Sequence, residues 1–358
     1  MKRRLAVAVL AAALAVTAMT GCSSELDGSE VVAEIGDTKI TADVANFYAR
    51  YQQAQYETYY TSYLGEDMWE SEATEGSTYE ESVKDSIMSN LQQMYVLDMH
   101  KDEFDVSLTE EDEAAIEQAA SQFIENNTLD DKNLVSGDED TVKRFLELLT
   151  IREKMAEAIG ATVDTEVSDE EAAQKSMQYV YFSTTTTDDE GNSSQMTDEE
   201  KTALQEQVQA FRDGAVDAAD FAAYAEEQGY TASPLTFDSE SVDLDSNIIA
   251  AADELGEGEV SDVLEGSTGY YVVKLTSLLD REATDAEKTT IVEERRTQAL
   301  ADQTSLWLQE DEVTVHDNVW DKIDFVKTGV TIKDSSTDTS GEGTDASGES
   351  DTSGDTAE

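Results

Sequence analysis

The stretch Gly269-Tyr270-Tyr271-Val272-Val273-Lys274-Leu275, GYYVVKL, reads as a β-strand entered from a turn. Upstream, Met177 to Phe182 (MQYVYF) has the same strand composition. Between the two strands, Thr197 with Glu200 opens a helix that runs to about Arg212, and shorter helices are expected near 219–228 and 246–255. GEGEVSDVL then supplies a turn and strand before GYYVVKL. The order β-α-α-β-α-β-β over about 105 residues predicts a compact α+β domain. GYYVVKL is its closing strand, and whether it also carries chemistry depends on the rest of the chain.

Helical patterns flank this domain on both sides. VVAEIGDTKIT (31–41) reads as two strands joined across Gly36-Asp37, and Thr41 is placed to cap the helix that follows. Val44, Phe47, Tyr48 and Tyr51 share one face of that helix. A polar loop is expected at 65–78, a second helix near 79–103, and a third opened by a Thr109–Asp112 capping box. Residues 127–139 read as a loop, and a fourth helix covers about 140–159, ended by Gly160. Tyrosines 48, 51, 56, 59, 60 and 63 read as core plus helix surface, and any exposed part suits apolar peptide segments. After GYYVVKL, a helix is expected from Thr284 to Gln309, then a short strand and turn in VTVHDNVWDKIDF.

The ends of the chain speak to location. Lys2, Arg3 and Arg4 precede an almost unbroken apolar run from Leu5 to Met19, which is short for a membrane span and reads as an export signal. Met19-Thr20-Gly21-Cys22 resembles the lipobox of bacterial lipoproteins, and Cys22 is the only cysteine in the chain. The expectation is a protein held on the extracytoplasmic face of the cell membrane by a lipid anchor at Cys22. Residues 334–358 hold eight acids, no base, and otherwise almost only Ser, Thr, Gly and Ala, a tail that cannot bury a core. The formal net charge is −58, from 81 acidic and 23 basic residues. That excludes nucleic acid as a partner, because phosphate contacts need Lys and Arg. Such a surface is solvated and self-repelling, and it could also attract basic, unfolded client chains.

Motifs for covalent, metal or nucleotide chemistry are missing from the sequence. His100 and His316 lie far apart, neither beside a nucleophile motif, and no His-x-x-x-His or Cys-x-x-Cys occurs. DDEGNSS at 188–194 is acidic and contains Gly but lacks EF-hand spacing. No metal and no cofactor is expected.

Four stretches carry a family resemblance, and they come in the family's order. These are IGDTKIT, ADFAAYAEEQ, AADELGEGEVS and GYYVVKL. They resemble Asn-Gly-x-x-Ile-Thr, Asp-Phe-x-x-Leu-Ala, Ala-Ala-Phe-x-Leu-x-x-Gly-Glu-Val-Ser and Gly-Tyr-His-Ile-Ile-Lys-Leu of the parvulin-type foldase lipoproteins. Those are the PrsA-like and SurA-like proteins with a PpiC-type rotamase domain. The resemblance runs to about residue 325 and implies an α+β chain. A mostly helical chaperone domain would be built from both chain ends, with a parvulin-like α+β domain inserted. The expected divisions are signal peptide 1–21, tether 22–30, helical domain 31–168, parvulin-like domain 169–281, returning helix and strand 282–333, and acidic tail 334–358.

The implied partners are unfolded or partly folded exported proteins, and the implied activity is peptidyl-prolyl cis-trans isomerisation. Parvulins are understood to use two histidines and a Cys or Asp, with a proline pocket of Met and Phe side chains. Here the histidine positions fall on Tyr179 and Tyr271, and the Cys/Asp position falls near Tyr230-Thr231. Thr268 keeps a family hydroxyl, and the pocket positions read Leu244, Ile248 and Asp253. Phenols donate hydrogen bonds but do not ionise as imidazoles do near neutral pH. A non-enzymatic holdase with a degenerate parvulin domain is therefore the alternative. A solute-binding lipoprotein is disfavoured, because paired lobes of repeated strand-helix units are missing.

Overall fold

The computed structural model describes residues 13–18, 26–187 and 193–333. The chain divides into two units, one formed by residues 1–159 with 300–358 and the other by residues 160–299. The sequence divisions at 169 and 281 differ from these because residues 160–168 and the first two-thirds of a long helix group with the second unit.

The first unit begins with β1 (Leu14–Ala18), then β2 (Val31–Ile35) and β3 (Thr38–Thr41). Gly36 holds a φ of +54° in the two-residue turn between the latter strands, a conformation that costs other residues more. α1 (Ala42–Leu64) follows. Thr41 occupies the position before it, but its side chain makes no capping bond. The expected polar loop at 65–78 instead buries Met68 and Trp69 in a short 3-10 turn and forms a hairpin, β4 (Glu72–Thr74) with β5 (Ser77–Thr78). Trp69 is anchored because its indole N–H donates to Glu57 at 2.9 Å. α2 (Tyr79–Met99) and α3 (Glu110–Asn126) both open with capping boxes. The loop expected at 127–139 contains α4 (Leu129–Leu134), where the Thr128 hydroxyl accepts the Asp131 amide. α5 (Glu139–Gly160) completes the N-terminal part.

The second unit is built on a four-stranded antiparallel sheet. β6 (Lys175–Ser183) is followed by the small hairpin β7 (Thr185–Thr187) and β8 (Ser193–Gln195), where the sequence suggests only a polar loop. Most of DDEGNSS lies outside the described residues. Then come α6 (Asp198–Val216), α7 (Phe221–Glu227), β9 (Ser233–Phe237), α8 (Ser246–Asp253), β10 (Leu264–Glu265) and β11 (Gly269–Ser277). The strand order is β10-β11-β6-β9. Pro234, the only proline, sits on edge strand β9, where a missing N–H breaks no internal ladder.

β11 is buried on both faces. Tyr270 and Val272 pack with Phe211 and Phe221 from α6 and α7, while Val273 and Leu275 pack with Ile248 and Ile249 of α8. Near its start this unit is stapled by charge. Asp169 pairs with Arg281 and Lys288, and those two cations hold its carboxyl down at about 2.

α9 (Arg281–Glu310) leads back to the first unit, followed by β12 (Val313–Val315), α10 (Asp317–Trp320) and β13 (Thr328–Ile332). β12 adds to β2 and β3 as a third strand. Phe47 stands at the centre of the first unit's core, edge-on to Phe123 at 5.2 Å and Phe145 at 5.6 Å. One side of α1 is polar yet buried, because it holds the returning chain. Arg50 Nη1 donates to the carbonyls of Asp324 (3.0 Å) and Thr328 (3.3 Å), and Gln53 Nε2 donates to the Phe325 carbonyl at 3.0 Å. Glu57 Oε2 accepts the Val330 amide at 2.8 Å, and Thr58 Oγ1 accepts that of Ile332 at 2.9 Å. Burial draws the Arg50 guanidinium down to about 10 and raises the Glu57 carboxyl.

Residues 14–18, inside the expected signal segment, form a strand antiparallel to β13. Cys22 lies outside the described residues. Among the described residues no helix is long and apolar enough to cross a membrane.

Arg50→Ala strands several buried carbonyls, so it is expected to lower the first unit's stability by about 3 kcal/mol. Urea unfolding followed by tryptophan fluorescence measures this, and a loss below about 1 kcal/mol would show that α1 does not depend on Arg50 to hold residues 324–328.

Candidate functional site

The pairing of β11 with β6 sets the site. Tyr271 lies opposite Tyr181, and Val273 lies opposite Tyr179. Residues two apart share a face, so Tyr179, Tyr181 and Tyr271 project on the α8 side of the sheet. Their rings form one cluster with Tyr271 in the middle, 4.9 Å from Tyr181 and 5.9 Å from Tyr179. Tyr271 is buried, Tyr179 half-buried and Tyr181 exposed. The Tyr181 hydroxyl donates to the Thr268 carbonyl at 2.8 Å and lies 3.0 Å from the Thr268 hydroxyl.

Two glycines make room for these rings. A Cβ on Gly269 would meet the Phe182 carbonyl and, at 2.7 Å, the Tyr181 ring. A Cβ on Gly266 would come within 2.7 Å of the Tyr271 ring and 2.6 Å of the Asp245 carboxylate. Asp245 precedes α8, and its carboxylate accepts the Ser267 amide at 2.5 Å and the Ser267 hydroxyl at 3.1 Å. The turn before β11 is thereby pinned to the start of α8, with a carboxylate beside the central phenol. Burial raises the Tyr271 hydroxyl above the usual tyrosine value. The Thr268 hydrogen bond opposes that shift, and Tyr181 and Asp245 reinforce it.

Beneath the rings, Leu235, Leu244 and Leu264 are half-buried members of the apolar cluster that also contains Ile248. Ile248 is fully buried, so it supports the floor. Asp253 ends α8 and pairs with Lys175 at 2.8 Å, four residues along β6 from Tyr179. The structure therefore brings Tyr179, Tyr271, Thr268 and Leu244 into one neighbourhood and sets Asp253 at another end of the sheet. Tyr230 lies on the opposite face, 4.7 Å from Phe182 and 5.5 Å from Phe211.

Tyr181 and Asp245 escape the sequence reading. Alternation along MQYVYF could have given Tyr181, because it shares Tyr179's face. Asp245 had only a weak signal, as an acid just before a short helix. Both histidines belong to the first unit. His100 stacks on Trp307 at 4.2 Å, and His316 lies 3.7 Å from Glu34. Among the described residues no group of His, Cys, Asp and Glu is placed to hold a metal ion.

What this arrangement offers is an apolar floor, a wall of rings and neutral hydroxyl donors, with one carboxylate at the rim. It offers no imidazole and no thiol among the described residues. That set can hold a compact apolar ring and donate a hydrogen bond to an amide.

Residues 184–290 match the family model of the PPIC-type PPIase domain. The matched residues lie within the second unit. Among solved structures the chain is similar to foldase protein PrsA from Streptococcus pneumoniae str. Canada MDR_19A, at 20% identity over 72% of this chain and 99% of that one, with a TM-score of 0.29. It is also similar to the peptidylprolyl isomerase PrsA from Bacillus cereus, at 19% identity over 69% and 93%, with a TM-score of 0.32. A SurA-like chaperone structure from Campylobacter jejuni shares 12% identity over 80% and 98%, with a TM-score of 0.28. No curated protein matches the sequence.

Two outcomes test the geometry. Gly266→Ala is expected to push the Tyr271 ring and Asp245 apart, seen as changed near-ultraviolet tyrosine dichroism with the far-ultraviolet spectrum retained. An unchanged near-ultraviolet signal would mean that the glycine is not needed for the cluster. The raised Tyr271 value means that the folded state holds this proton more tightly than the unfolded chain. Its contribution to stability is therefore complete below the ordinary tyrosine pKa of about 10 and is lost as pH rises through the higher folded value. In an absorbance titration, Tyr271→Phe should remove a late phenolate step, and removal of an ordinary one would contradict this.

Proposed function

We propose that this chain is an extracytoplasmic, membrane-anchored foldase whose parvulin-class domain isomerises prolyl bonds in unfolded exported proteins. The observation that carries the catalytic part is the Tyr179–Tyr271–Tyr181 cluster over Leu235, Leu244 and Leu264, with hydroxyl donors at its rim. Rotation about a prolyl bond has a barrier of about 20 kcal/mol and makes or breaks no covalent bond. A catalyst needs only to hold the ring and to favour the twisted amide over the planar one. The leucines and tyrosine rings supply the first requirement. The Tyr271 hydroxyl supplies the second as a donor that is neutral in the physiological range, as any phenol is, and burial raises its pKa further.

The location part rests on Lys2-Arg3-Arg4, the apolar run to Met19, and Met19-Thr20-Gly21-Cys22 with its solitary cysteine. On this reading residues 1–21 are removed, Cys22 carries the lipid, and the helical unit serves as the chaperone part. The acidic surface supports solubility beside a membrane and weak attraction for basic client segments.

A second reading, a holdase that binds without isomerising, draws support from the Tyr181 hydroxyl, which is already engaged with Thr268, and from Ile248, which is fully buried. The two separate in a prolyl-isomerisation assay on the processed protein. The wild type is expected to accelerate cis-to-trans conversion, with Tyr271→Phe slower by about tenfold or more and Tyr271→His active. No rate above background in all three, together with suppressed aggregation of an unfolded client, would establish the holdase instead.

A further inference from the structure

β13 is a strand with two differently furnished edges. The amides of Val330 and Ile332 donate to Glu57 and Thr58, and the Thr328 carbonyl accepts from Gln53 and Arg50. One edge is therefore satisfied by side chains of α1, standing where a neighbouring strand would be. The other edge, by the alternation of strand hydrogen bonds, presents Gly329, Thr331 and Lys333, and it is covered by β1. The Lys333 amide donates to the Ala13 carbonyl at 2.7 Å, and the buried side chain of Asn127 accepts the Leu14 amide at 2.7 Å. β1 lies also against α4, and its Leu14 is 3% exposed in the main core, with Val16 packed against the same core. Among the described residues the sheet contains no third strand.

We propose that this edge is a strand-accepting site and that, in the processed protein, it takes an extended apolar segment of an unfolded polypeptide. The inference rests on the export reading above, because residues 14–18 belong to the segment that processing would remove. Three observations select this occupant. The segment seated here, LAVTA, is apolar and short-chained; its backbone pairs along its length, and its side chains need only be apolar at the positions of Leu14 and Val16. Acceptance of an amide by Asn127 recognises any strand, whatever its side chains. Just beyond Thr58, α1 exposes Tyr59, Tyr60 and Tyr63, with Tyr63 85% exposed, a surface on which a longer apolar chain could continue. The chain's own tail after Lys333 is a poor competitor, because residues 334–358 contain no Leu, Ile, Val or aromatic residue to replace Leu14 and Val16.

The test uses the full processed protein, with mass spectrometry first fixing its N-terminal residue. Fluorescent peptides are then titrated. One has the sequence of residues 12–19, one is an unrelated alternating apolar sequence, and one carries Leu14→Asp and Val16→Asp. The first two are expected to bind and to compete with a carboxymethylated unfolded protein, and the third to bind at least about tenfold more weakly. In the protein, Thr331→Pro removes an N–H from the accepting edge and should abolish binding, whereas Thr331→Val, which keeps it, should not. The peptide variants leave the protein untouched, so misfolding of the proline variant cannot hide the answer. A processed chain that binds neither apolar peptide overturns the site while leaving the export reading intact. Binding of the 12–19 peptide alone overturns the client assignment. A peptide-sensitive dimer in sedimentation, without client competition, makes the edge a self-association surface and overturns it too. Retention of residues 14–18 overturns the export reading and, with it, the open edge.

Discussion

The line of polar side chains on α1, from buried Arg50 and Gln53 through half-buried Glu57 to Thr58 at the surface, is the constraint on which the first unit depends. It binds residues 324–332 by their backbone, so the last part of the chain closes the core that the first part began. Charged and amide groups in a core are costly unless fully paired. Here each finds carbonyls or amides of the returning strand. Specificity follows from the same cost, because no other segment offers those groups in that register. A domain can then be inserted between the halves at residues 160–299 without supplying any of these bonds.

Within the inserted unit the corresponding constraint is space. β11 is flanked by helices on both faces, so its side chains are fixed by packing and its alternation is strict. Chemistry can enter only where that packing is relieved, and Gly266 and Gly269 relieve it at the strand's entrance. Three phenol rings occupy the freed volume. The result is a cluster defined by shape and neutral donors.

Sequence pattern made this unit legible because its signals are local. The Thr197–Glu200 capping box, the apolar spacing of α6 and the β-branched run in GYYVVKL each act within a few residues. The misses involve contacts between distant residues. β13 has an ordinary composition and becomes a strand by pairing with β1, with α1 side chains on its other edge, all 270 or more positions away. Trp69 is buried by Glu57 and Phe325, so a polar-looking loop is ordered. At the site, Tyr271 could be placed by resemblance, but Asp245 comes close through a turn and Tyr181 through strand register. Tyr230 shows the opposite case, a position near in alignment that faces the other side of the sheet.

Charge explains why such contacts would suit clients of varied sequence. At −58 the surface repels acidic chains and gives basic ones only screened, unspecific attraction. Discrimination between folded and unfolded chains cannot come from that field, since both carry similar charge. It has to come from groups that folding hides, which are unpaired backbone amides and apolar rings. On the proposed reading, the tyrosine cluster takes the second and the β13 edge takes the first. Neither requires a particular sequence, and both lose their ligand when the client folds, so release needs no input beyond folding itself.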